Sequence, residues 1–249
     1  FAMDDRLGRA GVPKLSPRWR EELGASYKSG ASMHAARVGR GGAKSTAASK
    51  TVLCETLFGG WKVPPGERHW SVFVSENLDE ARARLGQLEA YLAILDIPFE
   101  RVGEKVLLGD LPLGFWVRAC RIGAVSGPRV VAWSIDEAAK LEVEGVNPCE
   151  EIETSLRAAT VTHPGARGRM YSSPWATTDR HYEVIEAGTN ASTFVTKGPT
   201  FEFNPSVTEA ATRVLEPDAR KWRREYLAEP MSAASAAFDV DAVARAMRP

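Results

Sequence analysis

Lys44 and Ser45 follow a glycine-rich run, Arg37-Val38-Gly39-Arg40-Gly41-Gly42-Ala43, and Thr46 comes next. A loop of this kind can hold a phosphate chain. Its backbone N–H groups turn toward the anion, the lysine reaches the outer phosphates, and the hydroxyl meets a magnesium ion. Aligned on Lys44, the pattern GxxxxGK[ST] puts Val38 and Ala43 where its two glycines belong. The extra methyl of an alanine is tolerated where φ is negative, so the reading expects a negative φ at Ala43. Taken alone, the same residues also describe a glycine turn ahead of a helix.

Two further stretches carry chemistry. "RVVAWSIDEAAKL" is an apolar run that ends in adjacent carboxylates, Asp136 and Glu137. Phosphoryl transfer needs a carboxylate that holds Mg²⁺ and a group that activates the attacking water. Asp136 suits the first role and Glu137 the second, as general base. Paired carboxylates at a strand end also serve as plain helix caps. "MYSSPWATTD" places Ser172 and Ser173 at a strand end, before Pro174. Their hydroxyls are in a position to sense the terminal phosphate or the water. A polar strand end stopped by proline is the simpler alternative.

These residues need elements to position them. "MHAARV" reads as a short buried strand, and "KSTAASKTVLCETLF" as the helix beyond the glycine loop. That helix would aim its N-terminal dipole at the phosphates. "HWSVFVS" reads as a second strand. Asn77 and Glu80 make a capping pair for a helix striped by Leu78, Ala81, Leu85, Leu88, Leu92 and Leu95. Residues 97–122 read as short strands with turns at Gly103, Gly109 and Gly114. "RVVAWSID" reads as a strand buried on both faces, and "GRMYSS" as another. "EPDARKWRREYLAE" reads as a helix with Pro217 in its first turn, and "DVDAVARAMRP", residues 239–249, as one more. Residues 1–33 read as a loosely structured lead-in with one short helix, Pro17–Leu23, capped by Ser16. Phe1-Ala2 ahead of Met3 reads as a cloning remnant. Alternating strands and helices predict a parallel α/β sheet with helices on both faces.

The 249 residues suffice for one large α/β domain or two small ones, with 44% hydrophobic and 26% charged residues. Lys plus Arg and Asp plus Glu number 32 each, so overall charge gives no argument for nucleic-acid binding. Cys54, Cys120 and Cys149, and the four histidines, have no metal-ligand spacing. The cysteines read as reduced thiols of a cytosolic protein. Neither a signal peptide nor a membrane-length apolar run is visible.

Taken in order, the three stretches resemble the large terminase subunit of tailed bacteriophages, the ATP-driven motor that packs DNA into capsids. "VGRGGAKS" resembles that family's deviant P-loop with its internal arginine, here Arg40. Asp136-Glu137-Ala138 resembles its carboxylate strand end, and Ser172-Ser173-Pro174 its coupling motif. The resemblance runs from about residue 30 to about residue 240. It implies a P-loop NTPase of the ASCE type, with an extra strand between the loop strand and the carboxylate strand. It implies ATP and Mg²⁺ as cofactors. Arg40, Gly41, Gly42, Ala43, Lys44, Ser45 and Thr46 would bind nucleotide, with Arg40 reading the γ-phosphate. Ser45 and Asp136 would hold the metal, Glu137 would activate water, and Ser172–Pro174 would couple hydrolysis to movement. It also implies a ring of subunits in which a neighbour donates an arginine, with Arg129 the first candidate and Arg121 the second.

The domain organisation expected is a lead-in over 1–33, an ATPase domain over 34–230, and a linker over 231–249 before a nuclease domain that the chain has no room for. An isolated ATPase domain, monomeric and unable to cleave DNA, is the corresponding expectation. The partners implied are double-stranded DNA, the portal protein and the small terminase subunit, at the procapsid vertex in the host cytoplasm. No membrane partner is expected. Local basic candidates for DNA contact are Arg118 and Arg121, Arg167 and Arg169, and Lys221, Arg223 and Arg224. Two other readings stand beside the packaging motor. One is a helicase-like P-loop translocase, which usually brings a second motor domain. The other is a non-catalytic, nucleotide-dependent assembly module, which the two missing loop glycines favour.

Overall fold

A computed structural model of the chain describes residues 1–120, 127–142 and 145–231. Helices α1 (Ala2–Arg9) and α2 (Pro17–Ser29) lead into strand β1 (Met33–Val38). Helix α3 (Lys44–Phe58), β2 (His69–Ser75) and α4 (Leu78–Ile94) follow. Strands β3 (Phe99–Val102), β4 (Lys105–Leu108), β5 (Leu113–Ala119) and β6 (Val130–Asp136) come next. Helix α5 (Cys149–Ala159), β7 (Arg167–Ser172), α6 (Arg180–Ala187) and β8 (Thr193–Gly198) complete the sheet. Three short helices close the described chain: α7 (Thr200–Phe203), α8 (Glu209–Leu215) and α9 (Ala219–Leu227).

The strands form one sheet in the order β3-β4-β5-β2-β6-β7-β1-β8. It is parallel from β5 to β8, and the β3–β4–β5 edge is antiparallel. Strand β7 lies between β1, which leads into the glycine loop, and β6, which ends in the carboxylates. The additional strand therefore carries Ser172. Every residue of β1 is buried, as suits a strand with neighbours on both sides and helices on both faces.

The stripe of α4 packs Ala81, Leu85, Leu88 and Leu92 against Phe73, Phe115 and Val117 on one face. Each leucine so buried contributes about 1.5–3 kcal/mol relative to exposure. On the other face Ile152 and Leu156 of α5 meet Val72, Trp133 and Ile135. The caps fall where the sequence puts them. Ser16 Oγ accepts from Trp19 N, and Asn77 Oδ1 from Glu80 N at 2.9 Å.

Three sequence expectations need correction, and one strand went unread. The lead-in is not loose: α1 and α2 are packed, with Leu7 and Trp19 fully buried. Asp4 ties them down by accepting from Lys50 Nζ at 2.5 Å and Arg20 Nη2 at 2.6 Å. Gly114 is not a turn but part of β5. A side chain there would meet the Val106 carbonyl at 2.7 Å and the Trp70 ring at 2.8 Å. Pro217 precedes the α9 cap, Asp218, rather than entering the helix. Strand β8 had no clear sequence signal, because Thr193–Gly198 is short, partly exposed and at the sheet edge. The expected linker beyond residue 231 and the final helix over 239–249 lie outside the described residues, as does Arg121.

Candidate functional site

The parallel strands all end on one edge of the sheet, and the loops beyond β1, β6 and β7 meet there. Ligands of open α/β sheets bind in this crevice, outside the carboxyl ends of the strands. A cavity of about 850 Å³ opens at this edge, lined by Arg40–Gly41, Ala43–Thr46, Glu76, Glu80, Glu137 and Lys140. Its other walls are the Pro13–Pro17 loop and residues Phe203–Ser206.

The glycine loop is held from outside. Thr200 Oγ1, Asn204 Nδ2 and Trp19 Nε1 each donate to a loop carbonyl, of Arg40, Gly41 and Gly42 respectively, all at 2.8 Å. With those carbonyls engaged outward, the amides of Gly41 and Ala43 have no backbone acceptor among the described residues. No side chain caps α3 either. The start of α3 therefore offers unpaired N–H groups beside the cavity, as a phosphate-binding helix terminus requires. Ala43 has φ 59 and ψ 26, a left-handed conformation. The expected negative φ is thus wrong, and the backbone adopts a glycine-like turn despite the methyl group.

Four of the sequence candidates converge. Lys44 Nζ donates to Ser173 Oγ at 2.8 Å and to the Val38 carbonyl at 3.1 Å, and lies 3.6 Å from Glu137 Oε1. Ser45 Oγ donates to Asp136 Oδ1 at 3.2 Å. Glu137 Oε2 accepts from Ser173 N and Ser172 Oγ, both at 3.3 Å. Glu137 is itself left-handed, at φ 48 and ψ 44. Non-glycine residues keep such strain when the surroundings over-determine it, commonly at functional sites. Ser172, Ser173 and Pro174 are buried behind this cluster.

The two carboxylates are electrostatically distinct. Burial raises the Asp136 pKa; Arg84 opposes this and Glu137 reinforces it. Burial also pushes Glu137 up, but Lys44 and Lys140 outweigh it and hold the carboxyl below its ordinary range. Burial lowers the Lys44 amine against the pull of Glu137 and Asp136. Asp136 and Ser45 offer hard oxygen donors side by side, the ligand type that Mg²⁺ takes. A cation there would also stabilise a carboxylate that burial disfavours. The residues present therefore fit Mg²⁺.

The remaining sequence candidates make contacts outside this cluster. The Arg40 side chain is 61% exposed and donates from Nε to Glu225 Oε2 at 2.7 Å. Arg129 sits at the far end of β6 from Asp136, 3.3 Å from Glu67. Among the DNA candidates, Arg169 is buried against Glu55 and Tyr27. Arg167 donates to the Ser26 carbonyl, and Arg223 pairs with Glu229. Arg118 stacks on Trp116.

Sequence reasoning missed Arg84, whose Nε is 4.0 Å from Asp136 Oδ2, together with Glu76, Glu80 and Lys140. Lys140 was within reach, since it pairs with Glu137 at helical i,i+3 spacing. Arg84 lies among the leucines of the α4 stripe, and nothing local marks it.

No protein-family model matches the chain, and no curated protein matches it. Solved structures do. A variant of the large-terminase ATPase domain of Thermus phage P74-26 is 18% identical with a TM-score of 0.64, over 83% of this chain and 92% of that one. The large terminase of bacteriophage HK97 is 12% identical with a TM-score of 0.67, over 88% of this chain. A large terminase from a thermophilic bacteriophage in complex with ADP is 10% identical with a TM-score of 0.64, over 85%. The match spans 52% of each of the latter two chains. The chain has the fold of the large-terminase ATPase domain.

Proposed function

We propose that the chain is an ATPase motor domain that hydrolyses ATP to drive double-stranded DNA into a viral procapsid. The observation that carries this reading is the convergence of Lys44, Ser45 and Glu137 on one cavity at the carboxyl edge of the sheet, with Asp136 accepting from Ser45 beside it. The fold likeness supports it, and one similar structure carries ADP.

In this mechanism the amides at the start of α3 and Lys44 hold the phosphates, with Arg40, Gly41, Gly42, Ala43 and Thr46 shaping the cradle. Ser45 and Asp136 would hold Mg²⁺, which would supply neutralisation of the phosphate charge. Glu137, kept ionised by Lys44 and Lys140, orients the attacking water and takes its proton. Positioning and charge stabilisation provide most of the acceleration in such transfers. Ser173 shares its hydroxyl with Lys44 and its amide with Glu137, so the Ser172–Pro174 segment is placed to follow a change at the phosphate.

The partners in this proposal are DNA, the portal protein, the small terminase subunit and further copies in a ring, at the procapsid vertex in the host cytoplasm. Arg129, remote from its own site, is proposed as the arginine given to a neighbour. The proposed ATPase domain covers residues 34–230 with the packed lead-in attached, and a linker follows from 231. No helix among the described residues is long and apolar enough to cross a membrane.

The test is phosphate release by the chain and by Lys44→Ala and Glu137→Gln. Both variants should lose at least about 100-fold in turnover, the scale of a lost general base or charge-stabilising group. Glu137→Gln should still bind ATP. Turnover equal to that of the unaltered chain in both variants rejects the site. Binding by the unaltered chain without hydrolysis favours the assembly module.

A further inference from the structure

Strands β4 and β5 alternate between covered and open positions. Val106, Leu108, Phe115 and Val117 are buried in the cluster that α4 covers. Lys105, Leu107, Trp116 and Arg118 point to the other face and are only half-buried. Register sets Lys105 beside Trp116, and Trp70 of β2 beside Gly114. The missing side chain at Gly114 leaves the space that the Trp70 ring fills.

Four side chains on this open face alternate ring and cation. Lys105 Nζ lies 4.8 Å from the centre of the Trp70 ring and 4.3 Å from that of Trp116. The Arg118 guanidinium lies 4.3 Å from the centre of the Trp116 ring. A ring face attracts a cation without neutralising its charge. Among the described residues neither Lys105 nor Arg118 has a carboxylate partner, and burial alone lowers the Arg118 guanidinium. Nearby Arg82 and Arg101, by contrast, are taken up by Glu104 and Glu89 at 2.6 and 3.0 Å. Glu100 shares the open face from the outer strand, beside Leu107.

Two cations set side by side on rigid rings suit consecutive phosphates of a nucleic-acid strand. Such contacts fix position without reading sequence, and they supply most of the non-specific affinity for DNA. Single strands bind differently, by stacking bases on free aromatic faces. Here Lys105 and Arg118 already lie against the rings, which favours the backbone of a duplex over unstacked bases. The face also adjoins the nucleotide site. Strand β2 carries Trp70 at one end, and at the other Ser75 is followed by Glu76 in the cavity wall.

We propose that Lys105 and Arg118, positioned by Trp70 and Trp116, are a contact surface for the phosphate backbone of double-stranded DNA. This inference rests on the DNA part of the reading above and assigns the surface that the reading leaves open.

The test is fluorescence anisotropy of a labelled duplex of arbitrary sequence, titrated without nucleotide over a series of salt concentrations. The chain is compared with Lys105→Ala, Arg118→Ala, the double variant, Lys105→Arg and Arg82→Ala. Each alanine on the open face should weaken binding equally for unrelated duplexes. Each should also reduce the slope of log affinity against log salt by about one, and the double variant by about two. Lys105→Arg should keep the slope, and Arg82→Ala should leave both slope and affinity unchanged. Unaltered slopes in the alanine variants overturn the assignment of this face and leave the DNA reading standing. A single strand of equal length that binds more tightly than the duplex, and loses that advantage in Trp116→Leu, overturns the assignment in favour of base stacking. No duplex binding by the unaltered chain even at low salt overturns the DNA reading and the inference together.

Discussion

At Ala43 the backbone turns left-handed with a methyl group in place. That conformation costs an L-residue about 1–2 kcal/mol. Glycine adopts it freely but adds about 0.4–1 kcal/mol of unfolded-state entropy. The difference favours glycine, so Ala43→Gly should stabilise the chain by roughly 1 kcal/mol and raise Tm by about 2–4 °C. Thermal unfolding checks this, and a lower Tm would contradict the strain. At this scale Lys44, Ser45, Asp136 and Glu137 were legible in the sequence, because each sits at a loop or strand end with a chemical reason to be there. Arg84 and the Glu225 partner of Arg40 were not. Arg40 and Glu225 are 185 positions apart, and a single long-range contact leaves no periodic trace.

Among the elements, α1 and α2 depart most from expectation. Prolines and glycines in residues 1–33 suggested a loose segment, and what anchors it is tertiary. Asp4, 3% exposed, meets Lys50, 1% exposed, from the middle of α3. Removing one partner of a buried pair leaves an uncompensated charge, at a cost of about 3–5 kcal/mol. Asp4→Ala should lower stability by about that amount in urea unfolding. The paired change Asp4→Leu with Lys50→Met should recover most of the loss. If Asp4→Ala costs under about 1 kcal/mol, this anchor is not what holds the lead-in. Strands β1, β2, β6 and β7 and helices α3 and α4 were readable because apolar runs and stripes of buried elements have a period. Strand β8 and the short helices α7 and α8 have too few residues to show one.

For the whole molecule, the buried His34 and His181 contribute to the response to acid. Burial lowers His34 to about 3, with Arg169 adding to the effect. Burial lowers His181 to about 4, although its bond to the Ala36 carbonyl pulls the other way. Both are neutral when folded and titrate near 6.5 when unfolded. A depressed folded pKa gives stability that is full above the unfolded value and lost as pH falls. Each histidine should therefore cost roughly 1.4 kcal/mol per pH unit once pH drops below about 6, down toward its folded value. Urea unfolding at pH 7, 6 and 5 checks this, and stability that stays constant over that range would refute it.

The sheet order joins these scales. Inserting β7 between β1 and β6 brings Ser172–Ser173 between the lysine loop and the acid pair. No local pattern announces that adjacency, and only the three motifs taken together suggested it. The most direct measurement is a crystal structure of the chain with ATP-γ-S and magnesium. The account requires the outer phosphates within bonding distance of Lys44 Nζ, with the metal between them and the Ser45–Asp136 pair. Nucleotide bound elsewhere, or a triphosphate that leaves Lys44 on Ser173 and touches neither Ser45 nor Asp136, would contradict it.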